Sequence, residues 1–226
     1  MKKILVANRG EIAIRIIRAC HELNLQTVAI YAKEDEYGVH RFRADESYLV
    51  GAGKKPIEAY LDMDDIIRIA KMTGADGIHP GYGFLSENEE FAQKCEEAGI
   101  TFIGPTVKQL QMFGDKIEAK EVAHAAGLET IPGTEDPVRS ITQVREFADQ
   151  HGYPIMVKAA LGGGGRGMRI VYSEAELEEA YNRARSEAMQ SFGDDELYVE
   201  KYLQNPKHIE VQILGDKYGN ILHLFE

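Results

Sequence analysis

The chain reads Lys158-Ala159-Ala160-Leu161-Gly162-Gly163-Gly164-Gly165-Arg166-Gly167-Met168, with four glycines in a row. Strand-like apolar patterns flank this run at Ile155 to Ala159 and at Met168 to Tyr172. Each glycine costs roughly 0.5–1 kcal/mol of conformational entropy relative to alanine, so we expect the loop to have a compensating role. Successive backbone N–H groups can bind phosphate oxygens, and Lys158 and Arg166 add positive charge there. The loop therefore predicts phosphate binding, with a flexible hairpin loop as the alternative.

Several better-known motifs are excluded. The sequence contains no Walker A pattern, and the glycine loop joins two strands rather than a strand and a helix. Gly162 to Gly167 matches the dinucleotide pattern Gly-x-Gly-x-x-Gly by letters only, because no helix is predicted directly after it. The chain also lacks a Cys/His cluster with zinc spacing and a Gly-x-Ser-x-Gly elbow.

The first half alternates strand and helix patterns. Predicted strands cover Ile4 to Ala7, Thr27 to Tyr31, Asp76 to His79 and Thr101 to Gly104. Predicted helices cover Ile12 to Asn24, Asp62 (N-cap) to Thr73, and a segment from a Ser86/Glu89 capping box to about Gly99. Strands separated by helices require crossover connections, which predicts a mostly parallel sheet with both faces covered. We expect residues 1–104 to form a small doubly wound α/β domain.

The second half has a different pattern. Predicted helices cover Val107 to Phe113, Ile117 to Ala126, Ile141 to Gln150, and a long segment from a Ser173/Glu176 capping box to Phe192. Further strands are predicted at Glu196 to Tyr202 and, as an antiparallel pair, at His208 to Leu214 and Ile221 to Phe225. We expect linking helices at 105–130, an α+β lobe at 131–202 and the start of another domain at 203–226.

Composition limits the class of protein. With 226 residues, 44% apolar residues and a net charge of −11, the chain is typical of a globular protein and lacks the basic face of a general nucleic-acid binder. No apolar run approaches the ~18 residues of a membrane span. Cys20 and Cys95 lie in apolar helical patterns and are expected to be buried free thiols. We expect a cytoplasmic protein without nucleic-acid or membrane partners.

Other segments are weaker candidates for a site. Glu200-Lys201-Tyr202-Leu203 ends a predicted strand and could present its backbone and the Glu200 carboxylate to an adenine edge, or be a plain edge strand. Lys116, near a helix start, suits an anion, but an exposed lysine is the alternative. His208 and Glu210 share one face of their predicted strand and could contact ribose, phosphate or only solvent.

Two loops follow strands of the predicted parallel sheet at their carboxyl ends, where ligands collect. The His79 to Glu87 loop could line a cleft with His79, Gly81, Tyr82 and Gly83, or be a rigid Pro/Gly corner. Asn8-Arg9-Gly10-Glu11 has the same position after the first strand.

Taken together and in order, five segments resemble the biotin carboxylase component of biotin-dependent carboxylases, in the ATP-grasp superfamily. They are Ala7 to Ala13, His79 to Glu87, Gly114-Asp115-Lys116, Lys158 to Met168 and Glu200 to Leu203. The segment Gly53 to Asp62 is most similar to the pyruvate carboxylases, with the separate biotin carboxylase subunit of acetyl-CoA carboxylases as the alternative.

The resemblance implies an N-terminal Rossmann-like domain at 1–104, linking helices at 105–130, an ATP-grasp lid with its glycine loop at 131–202 and the first strands of a truncated ATP-grasp core domain at 203–226. It also implies a role for each matched residue. Lys116 and Lys158 would hold phosphates, and Gly163, Gly164, Gly165, Arg166 and Gly167 would cover the triphosphate. Met168 and Leu203 would contact the adenine region, Glu200 and the Lys201 carbonyl would accept from its amino group, and His208 would lie near ribose or phosphate.

The implied reaction is carboxylation of biotin with ATP, Mg²⁺ and bicarbonate, in an enzyme that converts pyruvate to oxaloacetate. The implied partners are ATP and the rest of a carboxylase chain with a biotinyl carrier domain, in a homo-oligomer. The family's metal-binding and catalytic residues are expected after Glu226, so we expect these 226 residues alone to be inactive. Another ATP-grasp ligase, such as a carbamoyl phosphate synthetase, and a non-catalytic nucleotide-binding module are the remaining hypotheses.

Overall fold

The computed structural model describes residues 1–114, 116–159 and 168–226, and only the backbone of residues 116, 117 and 192. The chain divides into two compact units, Met1–Ala126 and Gly127–Glu226. The division into four parts expected from the sequence stays a prediction.

The first unit is built on a five-stranded sheet in which the neighbouring strands of the described residues are parallel. Its strands are β1 Lys3–Val6, β2 Gln26–Tyr31, β3 Glu46–Leu49, β4 Gly77–His79 and β5 Thr101–Phe102. The strand order is β3-β2-β1-β4-β5, with Val6 beside Ala29 on one side and beside His79 on the other. The order reverses between β1 and β4, which makes the space between their carboxyl ends a topological switch point.

The first unit has seven α-helices in the described residues, and those packed on the sheet cover both of its faces. The seven are α1 Gly10–Glu22, α2 Val39–Arg43, α3 Pro56–Tyr60, α4 Met63–Thr73, α5 Glu89–Glu97, α6 Val107–Gly114 and α7 Lys116–Ala125. Successive residues of β1 point to opposite faces, so Leu5 lies in one apolar cluster and Ile4 and Val6 lie in another. The parallel sheet with two covered faces confirms the fold class expected from the sequence.

Helix α4 begins and ends where its sequence predicts. The Asp62 side chain accepts from the Asp65 N–H at 3.3 Å, and Gly74 ends the helix in the left-handed region. The Ser86/Glu89 capping box is wrong. Helix α5 begins at Glu89, and Asn88 caps it by accepting from the Phe91 N–H at 2.7 Å, because residues 83–88 turn before the helix starts.

The sequence pattern did not predict three short elements of the first unit. Helices α2 and α3 have five residues each, too few for an apolar stripe to recur. Strand β3 lies at the edge of the sheet and is half-exposed, so it carries no strong alternation. Cys20 and Cys95 are buried and free, as expected.

The second unit holds an antiparallel sheet with two helices on one face. Its elements are α8 Ile141–His151, β6 Ile155–Ala159, β7 Arg169–Val171, α9 Glu174–Phe192, β8 Leu197–Lys201, β9 Ile213–Gly215 and β10 Ile221–His223. The sheet order is β7-β6-β8. Alternate residues of β6 and β8, such as Ile155, Val157 and Val199, are buried in one core with residues of α8 and α9.

Two local expectations for the second unit need correction. Helix α9 does follow Ser173, but the Ser173 side chain makes no capping bond, and Glu176 accepts instead from the Tyr172 N–H at 3.0 Å. The strand expected at His208 to Leu214 is wrong over residues 208–212. Only Ile213–Gly215 forms β9, and its partner β10 ends at His223 rather than at the predicted Phe225. Beyond these strands, backbone hydrogen bonds join Gln212 to Leu224 and Phe225.

In the described part of the chain, no helix combines the length and apolarity required to cross a membrane.

Candidate functional site

The sheet of the second unit has one face that its helices leave open. Since side chains alternate along a strand, the open face carries Met156 and Lys158 of β6, Ile170 of β7, and Tyr198 and Glu200 of β8. All five are half-buried, while their neighbours Ile155, Val157, Val171 and Val199 lie in the core. The face therefore combines apolar surface with one positive and one negative charge.

Lys158 and Glu200 form an ion pair on this face. The register places Met156 opposite Glu200 and Lys158 opposite Tyr198, so Lys158 and Glu200 are diagonal neighbours. The Lys158 Nζ atom donates to Glu200 Oε2 at 2.6 Å, and both side chains are only about a quarter exposed (23% and 24%). Nζ also lies 5.2 Å from the centre of the Tyr198 ring. The structure thus joins two residues that the sequence analysis selected separately.

Met168 and Leu203, two further predicted residues of this site, lie at its edges. Met168 directly precedes β7 and Leu203 follows β8, and both side chains are exposed. The Lys201 side chain points away from the open face, because its Nζ donates to the carbonyls of Gly152 and Tyr153, each at 3.0 Å. Gly163, Gly164, Gly165, Arg166 and Gly167 lie outside the described residues.

Two predicted phosphate-site residues are not part of this cluster as described. Lys116 is the first residue of α7, in the other unit. Only its backbone is described. His208 precedes β9 rather than lying in a strand. Its Nε2 atom is 3.0 Å from Glu210 Oε1, and its side chain is 84% exposed.

At the switch point of the first unit, the loop after β4 is tied to the loop after β1. The buried side chain of Asn8 donates through Nδ2 to the carbonyls of Pro80 at 2.7 Å and Tyr82 at 2.8 Å. Its Oδ1 atom accepts from the Arg9 N–H at 2.8 Å. The structure therefore brings Asn8 together with Gly81 and Tyr82 of the predicted cleft, in the loop that also holds His79 and Gly83.

Ionisable groups on and near this loop have shifted pKa values. Burial lowers the pKa of His79, which favours its neutral ring, and Nδ1 accepts from the Gly81 N–H at 3.0 Å. The Tyr82 hydroxyl donates to Glu11, and this hydrogen bond raises the pKa of Tyr82. Arg9 forms a two-pronged pair with Asp35, and these hydrogen bonds hold the pKa of the Asp35 carboxyl below its usual range.

Comparison with known proteins assigns the chain to a family. Residues 1–110 match the biotin carboxylase N-terminal domain, and residues 115–226 match the ATP-binding domain of the carbamoyl-phosphate synthase large chain. The pyruvate carboxylase of Bacillus subtilis is 63% identical over 226 residues, which are 100% of this chain and 20% of that protein. The chain belongs to the biotin carboxylase family.

Solved biotin carboxylase structures agree with this assignment. The biotin carboxylase domain of a Hydrogenobacter thermophilus 2-oxoglutarate carboxylase, in complex with MgADP, ADP and bicarbonate, is 52% identical, with a TM-score of 0.83 over 99% of this chain and 49% of that one. A Campylobacter jejuni biotin carboxylase in a β-γ-ATP complex is 45% identical, with a TM-score of 0.84 over 98% of this chain and 50% of that one. The chain thus spans about a fifth of the length of the curated relatives, and about half of these two structures.

Sequence reasoning missed three residues of the open face, Met156, Ile170 and Tyr198. Their signal was the alternation of β6, β7 and β8, which separates the core face from the open face. The sequence analysis also gave Asn8 no specific role, because the residues that its side chain contacts lie 72 and 74 positions away. Among the described residues, no group of three or more His, Cys, Asp or Glu side chains could hold a metal ion.

Proposed function

We propose that this chain is the ATP-binding portion of a biotin carboxylase, which uses MgATP and bicarbonate to carboxylate biotin. The observation that carries the proposal is the Lys158–Glu200 pair on the open face of the second unit. A base and a phosphate need different partners, and this pair supplies an acceptor-only carboxylate beside a cation. The strand with Lys158 leads directly into the glycine loop, whose N–H groups suit phosphates.

In the proposed complex, the adenine ring lies on the apolar part of the open face, against Met156 and Ile170 and near Met168 and Leu203. The Glu200 carboxylate and the Lys201 carbonyl accept from the adenine amino group, and the Leu203 N–H donates to the ring. This arrangement is supported by the half-burial of the face, because partly desolvated surface binds an aromatic ring more favourably than exposed surface.

The phosphates extend from the adenine toward the glycine loop. Lys158 and Lys116 neutralise their charge, Gly163 to Gly167 cover them, and His208 contacts ribose or phosphate. Bicarbonate oxygen then attacks the γ-phosphorus, the bond to the β-phosphate oxygen breaks, and ADP leaves. The C–O bond of the resulting carboxyphosphate breaks beside the biotin ring and gives CO₂ and inorganic phosphate. A ring nitrogen of biotin loses its proton to that phosphate and bonds to the carbon of CO₂. When bound, Mg²⁺ would offset phosphate charge, and no group of three or more His, Cys, Asp or Glu side chains among the described residues could hold it.

The wider setting is also part of the proposal. A pyruvate acceptor is supported by the 63% identity to the Bacillus subtilis enzyme, although a 2-oxoglutarate carboxylase domain is 52% identical. The biotin carboxylase subunit of an acetyl-CoA carboxylase is the alternative setting. A biotinyl carrier domain, a homo-oligomeric enzyme and a cytoplasmic location complete the proposal, the last supported by two buried free thiols.

A calorimetric titration of the chain with MgATP tests the proposed site. We expect Lys158→Ala to weaken ATP binding at least tenfold, a loss of about 1.4 kcal/mol, because the phosphates lose a cation. Lys71→Ala is the matched control, since it removes the same charge from an exposed position of α4 in the other unit.

Equal affinity in wild type and Lys158→Ala contradicts the assignment of Lys158. A folded wild-type chain that binds no ATP contradicts the nucleotide site itself. A similar loss in Lys71→Ala would show that the effect comes from net charge alone.

A further inference from the structure

The loop after β4 has an uncommon backbone conformation. Its backbone passes through the left-handed region at Gly81, Gly83 and Phe84, with φ values of 68°, 64° and 41°. A phenylalanine rarely adopts this conformation, because its Cβ atom crowds the backbone. Some interaction must therefore hold the loop in this shape.

Asn8 makes the central contact with this loop. Both Nδ2 hydrogens donate to loop carbonyls and Oδ1 accepts from Arg9, so the amide of this 3% exposed side chain is used at both ends. The loop fits closely over it, since a Cβ atom on Gly81 would lie 2.7 Å from Nδ2. An aspartate at position 8 would keep the acceptor and lose both donors.

Side chains on either side of Asn8 complete the attachment. The Tyr82 hydroxyl donates to Glu11 of α1, and the Phe84 ring stacks on Tyr60 with the ring centres 5.2 Å apart. The Tyr60 hydroxyl donates to Asp35 at 2.7 Å, which in turn pairs with Arg9. The loops after β1, β2 and β4 thus form one connected network at the switch point of the sheet.

We propose that Asn8 is a positioning residue that holds the 80–84 loop in its working shape for a substrate other than the nucleotide. The inference rests on the proposed function, which assigns the adenine ring and the glycine loop over the phosphates to the other unit and gives the 80–84 loop no part in binding ATP. Switch-point loops are where open parallel sheets bind ligands, and a loop so restrained is prepared for binding before the ligand arrives. Asn8 itself touches no substrate in this proposal and acts through the backbone of Pro80 and Tyr82.

The test uses a chimera in which this chain replaces the matching segment of the Bacillus subtilis pyruvate carboxylase, to which it is 63% identical. ATP cleavage is measured with bicarbonate and free biotin as varied substrates. We expect Asn8→Asp to raise KM at least fivefold for bicarbonate or for biotin, with KM for ATP unchanged. In the 226-residue chain, the amides of residues 81–83 should exchange at least tenfold faster, while ATP affinity stays the same.

Gly81→Ala perturbs the same contact from the loop side and should give the same pattern, so the test does not depend on one variant folding. Asn88→Ala is the control, because it removes another hydrogen-bonded asparagine of the same unit, the α5 cap, without touching the loop. Unchanged KM values for both substrates in Asn8→Asp and Gly81→Ala would overturn the inference, as would an equal rise in Asn88→Ala. A wild-type chimera that binds ATP but shows no biotin-dependent cleavage would instead overturn the proposed function, and the inference with it.

Discussion

At the scale of single residues, Glu200 is the group that should distinguish adenine from guanine. Its carboxylate can only accept hydrogen bonds, whereas guanine presents a carbonyl oxygen where adenine presents an amino group. We expect Glu200→Gln to reduce the ratio of ATP to GTP affinity at least tenfold, because the glutamine amide can donate to that carbonyl. Calorimetric titration of the chain with each nucleotide measures the ratio.

Lys158→Ala is the control variant for this prediction. Both nucleotides have the same triphosphate, so loss of Lys158 should weaken both and leave their ratio unchanged. If Glu200→Gln leaves the ratio unchanged, Glu200 does not face the base.

His40 should make the first unit less stable in acid. It is 1% exposed, burial lowers its pKa, and Nε2 lies 3.1 Å from the Ile30 carbonyl oxygen. As the pH falls below about 6.5, the unfolded chain takes up a proton that the folded chain refuses, so the free energy of unfolding decreases. The slope from this one group is at most about 1.4 kcal/mol per pH unit. Urea unfolding at pH 7.5, 6.5 and 5.5 measures it.

The comparison variant is His40→Gln, whose amide can still donate to the Ile30 carbonyl but does not titrate. Its pH slope should be smaller than that of wild type and not zero, because burial also lowers the pKa of His79. Identical slopes in the two proteins would show that His40 does not contribute.

At the scale of elements, Ser86 and Asn88 are the two candidates for the N-cap residue of α5. The sequence pattern favours Ser86, whereas in the structure the Asn88 side chain accepts from the Phe91 N–H at 2.7 Å. Asn88→Ala should therefore cost about 1 kcal/mol in free energy of unfolding, a common value for a lost N-cap, and Ser86→Ala less than about 0.5 kcal/mol. Denaturant unfolding of the two variants decides between them, and a larger effect at Ser86 would support the capping box instead.

At the scale of the whole molecule, the described apolar clusters are separate. The clusters of the first unit contain residues from Ile4 to Ile103, and that of the second contains residues from Val138 to Val199. Leu177 of α9 is fully buried, so Leu177→Ala should cost about 2–5 kcal/mol. We expect faster hydrogen exchange across β6, β8 and α9 and unchanged exchange across β1 and β2. Equal acceleration in both units would show that they unfold together.

Much of the architecture could be predicted from local patterns alone. Strand β6 has the predicted bounds Ile155–Ala159, and α4 has its predicted Asp62 and Gly74 ends. Such signals succeed because alternation, helical periodicity and capping act between residues at most a few positions apart. The resemblance to the biotin carboxylase family was also confirmed. Each motif that carries it is a contiguous segment, so it can be recognised without knowing the fold.

Tertiary structure alone decided which of those segments meet. Lys158 reaches Glu200 across 42 residues of sequence because β6 and β8 pair in one particular register, and a shift of one residue would turn Glu200 toward the core. Asn8 reaches Pro80 across 72 residues because β1 and β4 are neighbours at the switch point of the parallel sheet. Strand order and register depend on the packing of the whole unit, so a local pattern can identify the residues of a site but not their partners.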